Sequence, residues 1–337
     1  MNKKSCFFKI IAVSFGILVS IILIVGCEFI LKFFNVNAAK FDVEYPPSYY
    51  DFHDFGVKRP SVGKHQLIAR RLPSKETIWD EYYDIDQYHH RITPRIDSGE
   101  ESKFLAFLGC SFTYGEGVAG DETLPYYVGR LTKKYRPYNY GFHGLGPFDV
   151  LAVTEHTNFK EQIKEDNGLF VYTYIDGHLH RVAGSMRIMS WKRTEPFYRL
   201  IDGKLVRAGS FETGRPLLTK LYRFLAKSEI LQTLKINFPL RFQRKHFELT
   251  ALSLKNIETN IKKVYPDSRF LVLIYPSSLY PESLITELKK LNIDYLDYSK
   301  LFNRNTHPYA ISVEDQHPSP FAYSVVAKKL AEDLNLQ

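Results

Sequence analysis

The dominant feature of the hydropathy pattern is a charge-free run from Ile10 to Cys27, reading IIAVSFGILVSIILIVGC, which Phe29, Ile30 and Leu31 extend past a single Glu28. About 18 apolar residues rising 1.5 Å each cover most of a ~30 Å hydrocarbon layer, so the pattern predicts a spanning helix over 10–31. From 103 onward the pattern changes to short apolar runs alternating with amphipathic stretches. FLAFLG (104–109) reads as a strand buried on both faces and LFVYTYI (169–175) as a second buried strand, with FLVLIY (270–275) and IDYLDY (293–298) as further strands. Helices are predicted over 122–135, 147–163, 247–264, after Pro281, and over 320–335, where Ser319 and Pro320 suit the N-cap and first turn. Such βα alternation implies an α/β fold, a doubly wound parallel sheet with helices on both faces and ligands at the carboxyl ends of its strands.

Lys3, Lys4 and Lys9 precede the apolar run. The positive-inside rule therefore assigns a cytoplasmic tail at 1–9 and places the rest outside, as a single-pass membrane protein with a periplasmic or extracellular domain. A cleaved signal peptide is the first competitor, but its apolar region is usually shorter. The second is a lipoprotein, because Ile24-Val25-Gly26-Cys27 resembles a lipobox. The residues that follow Cys27 stay apolar (EFILKFF), where a lipoprotein would continue as a polar tether. The uncleaved anchor is the favoured reading.

Residues 32–101 show no long periodic segment and read as a juxtamembrane stretch packing along one edge of the domain. They hold an aromatic, Pro-marked part, a basic part from Lys64 to Lys75, and WDEYYDIDQYHHRITP, which alternates enough for a strand or hairpin. The βα alternation of 102–337 is interrupted over 183–246. The formal net charge of the 337-residue chain is +8, yet this insertion alone has fourteen Lys or Arg against four acids, a balance of +10 that leaves −2 for the remainder. A charge concentrated in one insertion outside a membrane points to an anionic envelope or membrane surface as its partner, and away from nucleic acid. Aromatic residues make up 15 %, which suits buried strands or a ring-lined groove without distinguishing them. The three cysteines, Cys6, Cys27 and Cys110, have no zinc-type spacing, and neither a metal nor a cofactor is expected.

Two constellations carry chemistry. The first is Gly109-Cys110-Ser111-Phe112-Thr113-Tyr114-Gly115, where a buried strand runs through a glycine-flanked turn into a helix. Ser111 then stands at a strand end with its own N–H facing the space a carbonyl oxygen would occupy. Cys110, on the opposite side of the strand, reads as a small buried residue. The second is Glu314-Asp315-Gln316-His317-Pro318-Ser319-Pro320, a histidine before the last helix with acids two and three residues upstream. That arrangement suits a base and its orienting carboxylate, and both Glu314 and Asp315 have usable spacing.

With these blocks the chain resembles an SGNH (GDSL-type) hydrolase over roughly 103–182 and 247–335. Gly109, Ser111, Thr113 and Gly115 match the first family block with Cys110 in place of Asp. Asn139-Tyr140-Gly141 with Gly144 and Gly146 resembles the second, and His317 matches the last. The resemblance implies a flavodoxin-like parallel sheet and a Ser111–His317–acid triad. It also implies an oxyanion hole from the N–H groups of Ser111 and Gly141. The family's third block, Gly-x-Asn-Asp, is absent. Asp176-Gly177-His178-Leu179-His180-Arg181 stands there instead, so His178 is expected as a substitute donor, or else only as packing beside an Asp176–Arg181 pair. Three functions are then open. The first is a membrane-anchored serine esterase removing acyl groups from an envelope polysaccharide or lipid. The second is an O-acyltransferase with the same triad, supplied by a membrane acyl-donor partner. The third is a non-catalytic scaffold binding an anionic glycan through the basic insertion.

Overall fold

A computed structural model describes residues 3–52, 55–95 and 101–336, so the first two residues of the predicted tail and parts of 32–101 lie outside the described residues. Helix α1 (Lys3–Phe33) runs through Cys27 without a break. Its stretch from Phe7 to Phe33 contains an 18-residue window of mean hydropathy 2.9 in which no residue is buried. It is long and apolar enough to cross a membrane, a test that a signal sequence also passes.

The next segment is more regular than its sequence suggests. It contains β1 (Phe41–Glu44), β2 (Tyr50–Phe52), β3 (Lys58–Pro60), β4 (Gly63–Arg71) and β5 (Thr77–Ile85). β1, β4 and β5 form an antiparallel sheet, and β2 pairs with β3. The nine-residue β4 was concealed by its charges. His65, Leu67 and Ala69 point inward at a period of two, while Lys64 and Gln66 face water and make the stretch look merely basic.

Then β6 (Lys103–Gly109) leads into the single-turn α2 (Ser111–Tyr114), and α3 (Leu124–Arg130) leads into β7 (Tyr135–Gly141). α4 (Pro147–His156), α5 (Phe159–Gln162), β8 (Gly168–Tyr174) and α6 (Asp176–Ala183) follow. The basic segment folds as α7 (Met189–Lys192), a hairpin of β9 (Pro196–Ile201) and β10 (Lys204–Ser210), α8 (Phe211–Gly214), α9 (Pro216–Leu225) and α10 (Glu229–Thr233). α11 (Arg244–Val264), β11 (Arg269–Ile274), α12 (Pro281–Lys290), β12 (Asp294–Asp297) and α13 (Pro320–Asp333) complete the chain. Ser319 does cap α13, accepting from the Ala322 N–H.

The five strands β12-β11-β8-β6-β7 form one parallel sheet. Counted among themselves they run 2-1-3-4-5, the flavodoxin-like order, whose switch point falls between β6 and β8. One face buries Ala106, Leu108, Phe170 and Val272 beneath α4 and α11. The other buries Leu105, Phe107, Val171 and Leu273 beneath α13 and α3. Coverage on both faces is why β6, β8 and β11 read as continuous apolar runs. Much of the aromatic excess goes into this core, since nine of its largest fully buried side chains are tyrosines.

Candidate active site

Ser111 stands at the carboxyl end of β6, next to the switch point. Gly109 makes the exit from the strand possible: its φ is +148°, and a Cβ there would come 2.5 Å from Thr113 Oγ1. Ser111 opens α2, so its N–H belongs to the first turn and has no intrahelical acceptor. Cys110 is fully buried in the core beside Phe107.

His317 reaches this serine from the loop before α13. Its Nε2 lies 2.9 Å from Ser111 Oγ, and its Nδ1–H donates to Asp315 Oδ1 at 2.6 Å. Asp315 Oδ1 also accepts the His317 backbone N–H at 3.1 Å, and Oδ2 accepts Trp79 Nε1–H at 2.7 Å from β5. Glu314 turns away. It accepts Arg71 Nε–H at 3.0 Å, and that guanidinium holds its carboxyl below the usual range. Of the two acids the sequence left open, only Asp315 meets the imidazole.

A further carboxylate, unremarked in the sequence, enters the site. Glu116 Oε2 lies 3.4 Å from His317 Nε2 and accepts His143 Nδ1–H at 2.6 Å. His143 Nε2 meets Tyr49 Oη at 2.8 Å, and Tyr49 Oη is 2.7 Å from Tyr114 Oη. Arg91, itself buried, fixes the loop carrying Glu116 by donating to the carbonyls of Tyr114, Gly115 and Val118. Burial alone would raise Glu116, but the charges of His143 and His317 and the bonds from His143 and Tyr45 hold it at about 2. Burial likewise lowers His317, but the Glu116 charge and the Asp315 hydrogen bond push it up to about 9. The available signal was Gly115-Glu116-Gly117, an acid between two glycines of positive φ just after the serine turn.

Two expected oxyanion donors are corrected. The Gly141 N–H is already committed to Asn139 Oδ1 at 3.0 Å, and its Cα packs under α2, where a Cβ would meet the Tyr114 nitrogen at 2.5 Å. Gly141 is small for packing, not for donating. His178 sits in the core, with Nδ1 3.0 Å from Tyr172 Oη and its ring against Tyr174. Burial, helped by Arg181 and Lys192, pushes its pKa well below the ordinary imidazole range. The expected Asp176–Arg181 pair is replaced too. Asp176 pairs with Arg304 at 3.2 Å, and Arg181 Nη1 donates to the Leu145 carbonyl at 2.7 Å.

The groove beside His317, about 300 Å³, is lined by Phe41, Phe112, Ile175, Gly177, Arg304 and Asp315 among others, and not by His178. Gly177, one of the lining residues, is in the first turn of α6, so its N–H has no intrahelical acceptor. In the loop after β7, Gly144 has φ +71° and packs against Trp191. Its carbonyl is 3.5 Å from Lys192 Nζ, and that ammonium is buried between Asp149 and Glu195. Asp149 in turn accepts the Gly146 N–H at 2.6 Å, so the basic segment braces this loop from behind.

No family model and no curated protein matches the chain. Among solved structures, an acetyl xylan esterase from the rumen bacterium Butyrivibrio proteoclasticus is similar at 12 % identity and TM-score 0.41, covering 81 % of this chain and 70 % of that one. An acetylxylan esterase from Geobacillus stearothermophilus is similar at 12 % and 0.38, covering 70 % and 96 %. A member of the lipolytic protein G-D-S-L family from Veillonella parvula is similar at 13 % and 0.37, covering 70 % and 100 %. At that distance the chemistry of this chain rests on its own residues.

Proposed function

We propose that this protein is a serine ester hydrolase of SGNH type, held at the outer face of a membrane by α1, that removes acyl groups from an envelope polysaccharide or lipid. One observation carries the reading: Ser111 Oγ, His317 Nε2, His317 Nδ1 and Asp315 Oδ1 form a continuous hydrogen-bonded chain, at 2.9 and 2.6 Å, at the switch point of a doubly wound sheet. Neutral His317 takes the Ser111 proton as Oγ bonds to the acyl carbon. Asp315, oriented by Trp79, stabilises the imidazolium. The tetrahedral oxyanion is received by the N–H groups of Ser111 and Gly177, each in the first turn of its helix without an intrahelical acceptor. Collapse expels the alcohol, which takes the proton from His317. Water, deprotonated by the same imidazole, then attacks the acyl-serine and releases the carboxylic acid.

O-acyl transfer would use the same triad with a sugar hydroxyl in place of water and a membrane partner as acyl donor. Phe41 in the groove directly follows the segment leaving α1, which favours a substrate or donor delivered near the membrane. The test is hydrolysis of p-nitrophenyl acetate by the full chain beside Ser111→Ala, which is expected to lose about 10⁴-fold or more in rate. Equal rates would return the protein to the non-catalytic, glycan-binding reading. Acyl transfer to a glycan acceptor that competes with hydrolysis would select the transferase.

A further inference from the structure

A second cavity, about 620 Å³, shares no lining residue with the groove beside His317. Lys40, Arg187, Arg223 and Lys227 line it together with Asn37 and Ser190, and no acid does. These four cations come from the stretch after α1 and from the basic segment, and none is in an ion pair among the described residues.

Its height relative to α1 is fixed by Glu28. The charge-free run before Glu28 rises about 27 Å over 18 residues, which brings Glu28 to the outer edge of a ~30 Å hydrocarbon layer. There the Glu28 carboxylate accepts the Glu229 N–H at 2.7 Å, the Ile230 N–H at 3.4 Å and the Ser228 hydroxyl. The first turn of α10 is thereby pinned at that level, and α9 ends only three residues before it. α9 displays Leu217, Leu221 and Phe224, at 82, 51 and 73 % exposure, spaced four and three residues apart along one face. Lys220, Arg223 and Lys227 flank that stripe. Leucine and phenylalanine on one face with cations beside them is the composition of a helix lying in a membrane interface.

We propose that the basic segment seats on the outer leaflet, with the Leu217–Leu221–Phe224 stripe of α9 among the acyl chains and the four-cation cavity holding the phosphate of an anionic glycerophospholipid. A free phosphate would satisfy the cations but leave the stripe in water. A lipid satisfies both, because its phosphate and its chains meet where α9 joins the cavity. This inference rests on α1 remaining as a span. It does not rest on the Ser111 chemistry, which a soluble ester reports whether or not lipid binds.

The experiment uses the full chain purified in detergent, with dioleoyl phosphatidylglycerol or dioleoyl phosphatidylcholine added, and reads retained lipid by native mass spectrometry. Phosphatidylglycerol is expected to be retained preferentially, the preference falling about fivefold per cation removed in Arg223→Ser/Lys227→Ser. The control Lys204→Ser/Arg241→Ser, outside the cavity, is expected to keep it. Equal retention of the two lipids, or an unchanged preference in the cavity variant, overturns the site. Displacement of the lipid by millimolar inorganic phosphate reassigns the cavity to free phosphate and overturns the lipid. In a second arm, Phe224→Trp in phosphatidylglycerol nanodiscs with brominated acyl chains should show quenching beyond that of the wild type. No added quenching overturns the seating and leaves the α9 face to a protein partner. Hydrolysis of p-nitrophenyl acetate at the wild-type rate by the cavity variant keeps a failure here distinct from a failure of the esterase reading.

Discussion

Glu116 Oε2 lies 3.4 Å from His317 Nε2, the same nitrogen that stands 2.9 Å from Ser111 Oγ. Two groups therefore compete for one ring nitrogen. While Glu116 is ionised, it favours the imidazolium, which cannot accept the serine proton. With His317 pushed up to about 9, kcat/KM for a neutral ester should rise with pH along a limb centred near that value. Glu116→Gln removes the charge and should move the limb down toward about 6.5, the ordinary imidazole value, raising the rate at neutral pH. A limb that does not move on this substitution would remove Glu116 from the control of His317.

The same pair sets a pH window of stability. A group whose pKa is raised on folding contributes stability fully below its unfolded value, about 6.5, and loses it as pH climbs through the folded value. The wild type should therefore lose melting temperature between roughly pH 6.5 and 9, and Glu116→Gln should flatten that loss. Melting curves across this range provide the check, with the expectation failing if the two proteins fall in parallel.

Asp315 and Glu314 should separate cleanly by substitution. Asp315→Asn is expected to lower kcat by about 10⁴, since it disturbs both the tautomer and the stabilisation of the imidazolium. Glu314→Gln loses only a partner of Arg71 and should leave kcat within about threefold. Trp79→Phe keeps the ring but withdraws the donor to Asp315 Oδ2. A hydrogen bond to a charged group is worth about 1.5–3 kcal/mol, so kcat should fall about tenfold to a hundredfold, with KM little changed. Steady-state kinetics on all three variants decide this, and an inactive Glu314→Gln would contradict the assignment.

His178 should behave as a core residue. His178→Ala is expected to cost about 1–3 kcal/mol of stability while the folded fraction hydrolyses ester within about threefold of the wild-type rate. Loss of a true oxyanion donor would instead cost about 10²–10³ in kcat with little change in melting temperature. Denaturant titration beside kcat distinguishes the two patterns.

Lys192 should matter more for stability than any exposed lysine of the basic segment. Lys192→Met leaves Asp149 and Glu195 buried without their cation, an uncompensated charge that typically costs about 3–5 kcal/mol. Burial already pushes Glu195 upward, so the deficit should shrink as pH falls and its carboxyl takes a proton. A deficit independent of pH would mean that lost packing, not charge, dominates.

The sequence alone determined the elements that depend on local pattern. Apolar runs buried on both faces fixed β6, β8 and β11. The glycine-flanked exit of β6 placed Ser111 at a strand end, and Ser319-Pro320 marked the start of α13, with His317 just before it. Each of these follows from periodicity, turn geometry or capping within a few residues. Only the tertiary structure decided which acid meets His317, because Arg71 and Trp79, more than 230 residues upstream, claim Glu314 and bond Asp315 from a segment whose sequence reads as a stretch packing along one edge of the domain. Long-range packing likewise brought Glu116 against His317, committed the Gly141 N–H to Asn139 and turned His178 into the core. A carboxylate or imidazole has the same letter in the sequence whether it is solvated, paired or buried. The partner that settles which it is comes from elsewhere in the chain.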